Sequence, residues 1–464
     1  MMDLRMTTLR GMDVFLDKDT VAAFQQSLRG QLITPSDASY NEARQVWNAN
    51  IDRQPGLICR PAGVADVITA VTFARDQQLL VSVRGGAHSF AGTCVCNGGL
   101  VIDLSLMKGI RVDPIRRTVR AEGGVKWGEF DRETQAFGLA TTGGTVADTG
   151  LAGLTLGGGH GWLGNRYGLV SDNLTSVDIV TADGQLRIAS DTEHPDLFWA
   201  VRGGGGNFGV VSSFEYRLYP VGPVLAGLVF HPFEKAKAVL QFYRDFSGLT
   251  HEEVSTYAAL LTSPDGAKMV AIGVCYNGPL DEGERVVAPV RRFGPPVVDQ
   301  IRPMAYTELQ SMLDTVVPPR HQYYEKAHFL RAISDDVIDI LIDSYANVPS
   351  PLSIPFFQQT GGAMQRGHTA YAHRDALYNL ILIAQWLNPA ESERHMRWTR
   401  ELWQTLQPYA TGGIYVNDMG REEEDGADQV KSAYGANYQR LAELKQKYDP
   451  TNLFRHNQNI KPAA

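Results

Sequence analysis

Residues 80–92 read Leu-Val-Ser-Val-Arg-Gly-Gly-Ala-His-Ser-Phe-Ala-Gly, a short apolar strand running straight into a loop with two glycines, a cation and a histidine. Glycine can turn its backbone N–H inward in conformations closed to other residues, so Gly85 and Gly86 suit a chain that must wrap a pyrophosphate. Arg84 can add charge-assisted hydrogen bonds to such a group. Ala87, His88 and Ser89 then present an imidazole beside it. Taken alone, these residues equally describe a strand closed by a tight turn with a solvent-facing histidine, because glycine loops are common.

A chain of 464 residues exceeds the size at which one hydrophobic core stops growing, which predicts two structural lobes. Apolar residues at 44% and charged residues at 20% are ordinary for a globular protein. The net charge of -8 argues against a nucleic-acid surface, and no apolar run is long enough to span a bilayer. The first twelve residues lack the apolar segment and cleavage site of a secretory signal, so a cytoplasmic protein is expected. Cys94 and Cys96 form a C-x-C pair with no second pair at zinc spacing, and Cys59 and Cys275 stand apart, so free thiols and no metal site are expected.

Residues 19–29 and 64–77 carry helical spacing, the second with Val67, Ile68, Val71 and Phe73 on one side. Residues 100–104 and 118–121 are short β-rich runs, and residues 175–186 predict a hairpin turned by Asp183 and Gly184. Helix–strand alternation followed by clustered strands predicts an α+β lobe of two packed subdomains. Pro and Gly interrupt the pattern at residues 220–223, a plausible boundary. Beyond it, strands such as 269–274 mix with helices such as 335–345 and 391–406. The acidic run 421–426 reads as a solvated loop.

Residues 204–209 satisfy G-x-G-x-x-G, yet they follow a helical stretch at 196–200, lead into a β-rich run at 210–215 and have no acid about twenty residues on, so a dinucleotide-binding helix is not expected. Residues 141–161 are the better cofactor candidate. Their glycines suit neither helix nor strand, while Leu151, Leu154 and Leu156 interleave with them, which predicts a packed loop whose backbone approaches a large planar ligand.

Several blocks recur together in this order. They are Arg60-Pro61 before a helix, the 84–92 loop, Gly-Leu-Val-Ile-Asp-Leu-Ser at 99–105, Gly-Gly-Gly-His-Gly-Trp-Leu at 157–163, Tyr-Gly-Leu at 167–169 with Asp172 and Asn173, the 196–209 block, and the tail 448–459. Over residues 59–214 and 434–460 the chain resembles flavoproteins of the vanillyl-alcohol oxidase superfamily, on the branch that contains berberine bridge enzyme. The resemblance implies an FAD-binding lobe in residues 1–222, a substrate lobe in 223–412, and a segment, 413–464, that returns to the FAD lobe. The substrate lobe is then a sheet that covers the flavin with one face and carries helices on the other.

In that family the histidine equivalent to His88 is bonded through its ring to the 8α-methyl of FAD, which anchors the cofactor and makes it a better hydride acceptor. Many relatives add a cysteine bonded to the flavin C6. That position falls at or beside Val146, and no cysteine lies between Cys96 and Cys275. A single link through His88 only is therefore expected, as in bacterial members resembling 6-hydroxy-D-nicotine oxidase and the flavoenzymes of polyketide pathways. The resemblance places the cofactor against Arg84, Gly85, Gly86, Ala87, His88, Ser89, Gly144, Thr145, Thr149, Gly150, Gly153, Gly158, Gly159, His160, Gly161, Asn173, Val177, Tyr415, Asn417 and Asn457. Thr149 stands where relatives place a residue beside the flavin C4a and N5, though it also reads as an ordinary turn threonine.

Hydride removal usually needs a base for the substrate's O–H or N–H proton. Candidates are Tyr257, Gln358, Gln359, Tyr371 and His373, with Tyr415 and Asn417 near the flavin by resemblance. A tyrosinate at Tyr415 can serve as base, Gln358 has no acid–base function, and His373 also reads as structural. The expected activity is an FAD oxidase that removes a hydride from a C–H beside a hydroxyl or amine of a small molecule and passes electrons to O2. A dehydrogenase with another acceptor, an oxygenating flavoenzyme and a flavin-binding protein without turnover are the alternatives. The sequence leaves the oligomeric state open.

Overall fold

A four-stranded sheet forms around the His88 loop, in the order Gln31–Ile33, Leu57–Arg60, Leu100–Asp103, Val81–Arg84, the last three parallel. Leu100–Asp103 is buried at every position, as a parallel strand covered on both faces must be. The computed structural model describes residues 3–249, 251–420 and 422–463. The predicted helix is found as Val64–Asp76, packing Val67, Ala70, Val71 and Ala74 against this sheet, and the first is found as Lys18–Gln26.

A second sheet runs Leu186–Ser190, Leu174–Val180, Val210–Arg217, Thr118–Glu122, Ile110–Asp113, all antiparallel. Its first hairpin closes at Gly184, where φ is +78° as the turn requires. The G-x-G-x-x-G stretch precedes strand Val210–Arg217 and anchors the C-terminal tail: Asn207 donates to the Gln458 carbonyl at 3.1 Å and accepts from the Ile460 N–H at 2.9 Å.

The third sheet has eight antiparallel strands. Its main order is Val298–Asp299, Val224–Pro232, Lys268–Tyr276, Val254–Thr262, Ile354–Gln359, Tyr378–Trp386, Gln322–Leu330, and Arg302–Met304 also pairs with Val224–Pro232. Helices Ala236–Ser247, Leu280–Arg292, Asp335–Ala346 and Ser392–Leu406 supply residues to the core on one face. The other face turns toward the smaller sheets through Trp162, Cys275 and Tyr306 at one end and Trp47, Tyr323 and Ile381 at the other. The architecture is α+β, as expected.

Two local expectations change. Residues 141–161 are not one loop: Leu151–Leu156 forms a short helix, because Leu151, Thr155 and Leu156 turn into the core. The acidic run belongs to helix Glu422–Tyr434, which breaks at Gly426 (φ +72°), rather than to a loop; Arg421 lies outside the described residues. Among the described residues no helix is long and apolar enough to cross a membrane.

Candidate flavin site

Strand Val81–Arg84 delivers the His88 loop to one edge of the parallel sheet. Arg84 does not point along that loop. Its guanidinium donates to the Ala43 and Gln45 carbonyls and lies 3.8 Å from Asp103, which also binds Arg60 at 3.0 Å. Arg84 is thus engaged as a buried brace, with Asp103 directly opposite it in the strand register. Ala87 adopts a positive φ of +59° and its carbonyl accepts the Trp47 N–H at 3.0 Å, while Ser89 binds Thr93 Oγ1 at 3.1 Å.

The His88 ring stacks on Trp47, centroids 4.1 Å apart, and Trp47 stacks on Tyr323 of the large sheet at 4.0 Å. His88 Nε2 is sealed from solvent and has no hydrogen-bond partner. Burial pushes its pKa down to about 4, so the imidazole is neutral at ordinary pH and keeps a free lone pair.

The second loop closes against the first. A Cβ on Gly86 would lie 2.3 Å from Gly150 Cα, and one on Gly150 would lie 2.5 Å from Gly86 N, so both must be glycine. Thr149 is pinned through its backbone to the Trp127 N–H at 3.0 Å and the Val146 carbonyl at 3.1 Å. Ala147 N–H donates to Asp314 at 2.8 Å, and Lys126 pairs with Asp148. Thr145, Val146 and Thr149 are half-buried, Gly144 packs on Leu154, and Gly153 faces open space.

The glycines at 157–161 make room for protein rather than only for a planar ligand. A Cβ on Gly157 would fall 2.1 Å from Asn417 Oδ1, on Gly158 2.5 Å from Tyr371, on Gly159 2.4 Å from Val170, and on Gly161 1.6 Å from the Gly143 carbonyl. Val177 is a fully buried core residue. Asn173 Nδ2 braces the Tyr167 and Leu169 carbonyls, and Asn457 Nδ2 braces those of Gly206 and Phe454, but both Oδ1 atoms are buried without a partner. Orphaned polar atoms on His88, Asn173 and Asn457 fit a large ligand with complementary groups, which is what FAD offers.

His160, expected at the cofactor, centres a polar chain. Its Nδ1 donates to Gln358 Oε1 at 3.1 Å, and Gln358 Nε2 donates to the Tyr257 hydroxyl at 2.9 Å. His160 Nε2 then accepts the Tyr371 O–H at 2.9 Å. The imidazole stacks on Tyr415, 4.3 Å between centroids, and burial pushes its pKa down to about 4. The Tyr415 oxygen receives the Gly159 N–H at 2.8 Å and Asn417 Nδ2 at 2.7 Å. Burial first, and then Asp418, push the Tyr415 pKa far above the usual range, so it stands as a neutral phenol and not as the expected tyrosinate base.

The other candidates separate by position. Gln359 lies on the opposite face of the sheet from Gln358, bound to Asn165, Thr256 and the Ser247 carbonyl, because neighbouring strand residues point to opposite faces. His373 Nε2 lies 2.7 Å from the Ser432 carbonyl, a structural contact. Sequence reasoning missed Trp47, Tyr323, Glu325, Asn379 and Asp418. Asp418 follows Asn417 directly, and Glu325 is an acid inside a strand buried at all nine positions, a signal that appears only once burial is known.

Residues 55–190 match the FAD binding domain family, and residues 414–461 match the berberine and berberine-like family. An FAD-linked oxidoreductase of Dictyostelium discoideum is 34% identical over 95% of this chain and 97% of its own. The chain belongs to the berberine bridge enzyme-like family of FAD-linked oxidoreductases. Within this family, the (R)-6-hydroxynicotine oxidase of Paenarthrobacter nicotinovorans is 32% identical over 94% of this chain and 98% of its own. The crystal structure of 6-hydroxy-D-nicotine oxidase from Arthrobacter nicotinovorans superposes with a TM-score of 0.88 at 31% identity, covering 94% of this chain and 99% of that one. As a berberine-like member, the chain is an FAD-dependent oxidoreductase.

Proposed function

We propose that this chain is an oxidase carrying FAD linked through His88 alone, acting on a small molecule with a C–H beside a hydroxyl or amine. The observation that carries the reading is the convergence of Tyr415, Tyr371 and His160 beside the glycine loop. FAD, when bound, accepts a hydride and passes electrons to O2.

The protein supplies orientation and proton handling. With two N–H donors occupying the Tyr415 oxygen, its own O–H is left to donate to a substrate heteroatom. Tyr371 directs its hydroxyl proton at His160 Nε2, which leaves its oxygen to accept a hydrogen bond from the substrate's O–H or N–H. The Gln358 carbonyl holds the Nδ1–H tautomer that this arrangement needs. A cavity of about 10 Å³, room for one water, lies among Tyr371, Tyr415, Phe329 and Ile414.

Anaerobic mixing with a panel of alcohols, amines, sugars and phenols tests the reading. At least one class should bleach the yellow spectrum, with recovery on admitting air. Tyr415→Phe should slow the bleaching by about a hundredfold. Bleaching without recovery in air would make the chain a dehydrogenase, and no bleaching at all would leave a flavin-binding protein without turnover.

A further inference from the structure

Glu325 sits between Tyr323 and Ala327 on the same side of its strand, so it shares the sheet face that packs on Trp47 and Phe90. It is 5% exposed, and its Oε1 is buried with no hydrogen-bond partner. Asp418, from the segment that carries Tyr415 and Asn417, is 8% exposed and accepts from Asn379 Nδ2 at 2.6 Å. Asn379 Oδ1 is a second buried acceptor without a partner.

Burying two carboxyls is costly unless a cation or donors compensate them. Among the described residues neither acid is paired with a lysine or arginine. Arg374 is committed to Asp172 at 2.6 Å. The titratable groups that feel the charge of these acids are Tyr415 and Tyr371, both pushed up by burial and so neutral at ordinary pH. The acids answer this by holding protons: burial raises Asp418 to about 7, and burial together with the Asp418 charge raises Glu325 well above the carboxylate range.

Two acids without a counter-cation, and unfilled acceptors on Glu325 and Asn379, form an arrangement that a group bearing several donors and a positive charge would complete. We propose that Glu325, Asp418 and Asn379 form a subsite for a protonated amine of the substrate, so that the oxidised molecule is an amine or amino alcohol rather than a neutral sugar or alcohol. This rests on the oxidase reading above. A hydroxyl would fill one acceptor and leave both acids protonated. An ammonium offers three donors and lets the acids ionise, releasing a proton as it binds.

The test uses the FAD-loaded full chain without turnover. Its probes are tert-butylammonium and tert-butanol, which match in shape and have no hydrogen on the carbon bearing the heteroatom. Binding is followed by perturbation of the flavin absorption and by calorimetry in two buffers of different ionisation enthalpy. The cation should bind at least about tenfold more tightly than the alcohol and release a proton, whereas the alcohol releases none. Glu325→Gln and Asp418→Asn should each shrink that preference while flavin content stays the same.

Equal binding of the two probes, or a preference that survives in both variants, overturns the proposal. If a variant fails to fold, the wild-type preference and proton release still decide the matter. Failure of the oxidase reading shows separately, as no flavin reduction by any amine or alcohol that does carry such a hydrogen.

Discussion

Trp47 lies between His88 and Tyr323 in a continuous aromatic stack, 4.1 Å from one ring centroid and 4.0 Å from the other. The residue expected to bind the flavin covalently is thereby oriented by a tryptophan whose other face rests on the large sheet. Asn48 reinforces the contact, accepting the Tyr323 N–H at 3.0 Å and donating to the Tyr323 carbonyl at 3.1 Å.

The stack predicts how flavin retention depends on Trp47. After acid precipitation the wild-type pellet should stay yellow and fluorescent, and His88→Ala should release all flavin to the supernatant. Trp47→Ala should lower the bound fraction and cost about 3–5 kcal/mol of stability, while Trp47→Phe retains most of both. A colourless wild-type pellet would refute the covalent link.

A single link is expected because the position where many relatives carry cysteine falls at or beside Val146 and no cysteine lies between Cys96 and Cys275. Cys59, Cys94, Cys96 and Cys275 are all buried and free. Mass spectrometry of a tryptic digest should find flavin only on the peptide that contains His88. An adduct on any cysteine peptide would contradict the alignment.

Thr149 is half-buried beside the Gly86–Gly150 contact, with its backbone held by Trp127 and Val146. If its side chain gates oxygen, Thr149→Leu should slow reoxidation in stopped flow more than it slows anaerobic reduction. Thr149→Val separates size from the hydroxyl. Unchanged reoxidation in both variants would remove Thr149 from the flavin face.

His160 has a folded pKa of about 4 against an ordinary value of 6.5. Between these values the unfolded chain binds a proton that the folded chain refuses, so stability is fully present above pH 6.5 and is lost as pH falls toward 4. The loss from this one group is at most about 3 kcal/mol. Denaturant melts from pH 7 to 4 should therefore show wild type losing more stability than His160→Gln. Parallel curves for the two proteins would mean that the imidazole is not held neutral.

Much of the framework around the His88 loop was legible because its signals are local. The strand entering the His88 loop, the Asp183-Gly184 hairpin and helix Val64–Asp76 follow from backbone preferences and side-chain periodicity within a few residues. Helix Leu151–Leu156 was not, since Gly153 within it and the glycines that flank it argue against helix, and only packing of Leu151 and Leu156 into the core overrides them.

The sequence by itself determined which residue types were available: a histidine in a glycine loop, no cysteine between Cys96 and Cys275, and Tyr415 with Asn417 near the C-terminus. Only the tertiary structure decided what they do. It turned Arg84 away to Ala43 and Gln45, separated Gln358 from Gln359 by the two faces of a sheet, and joined His160 to Gln358 and Tyr371 across 198 and 211 positions of chain. It also buried Glu325 and Asp418 without a cation. The reason is physical: propensity acts between neighbours in sequence, whereas a hydrogen-bond partner and the cost of a buried charge are set by whichever distant segment packs alongside.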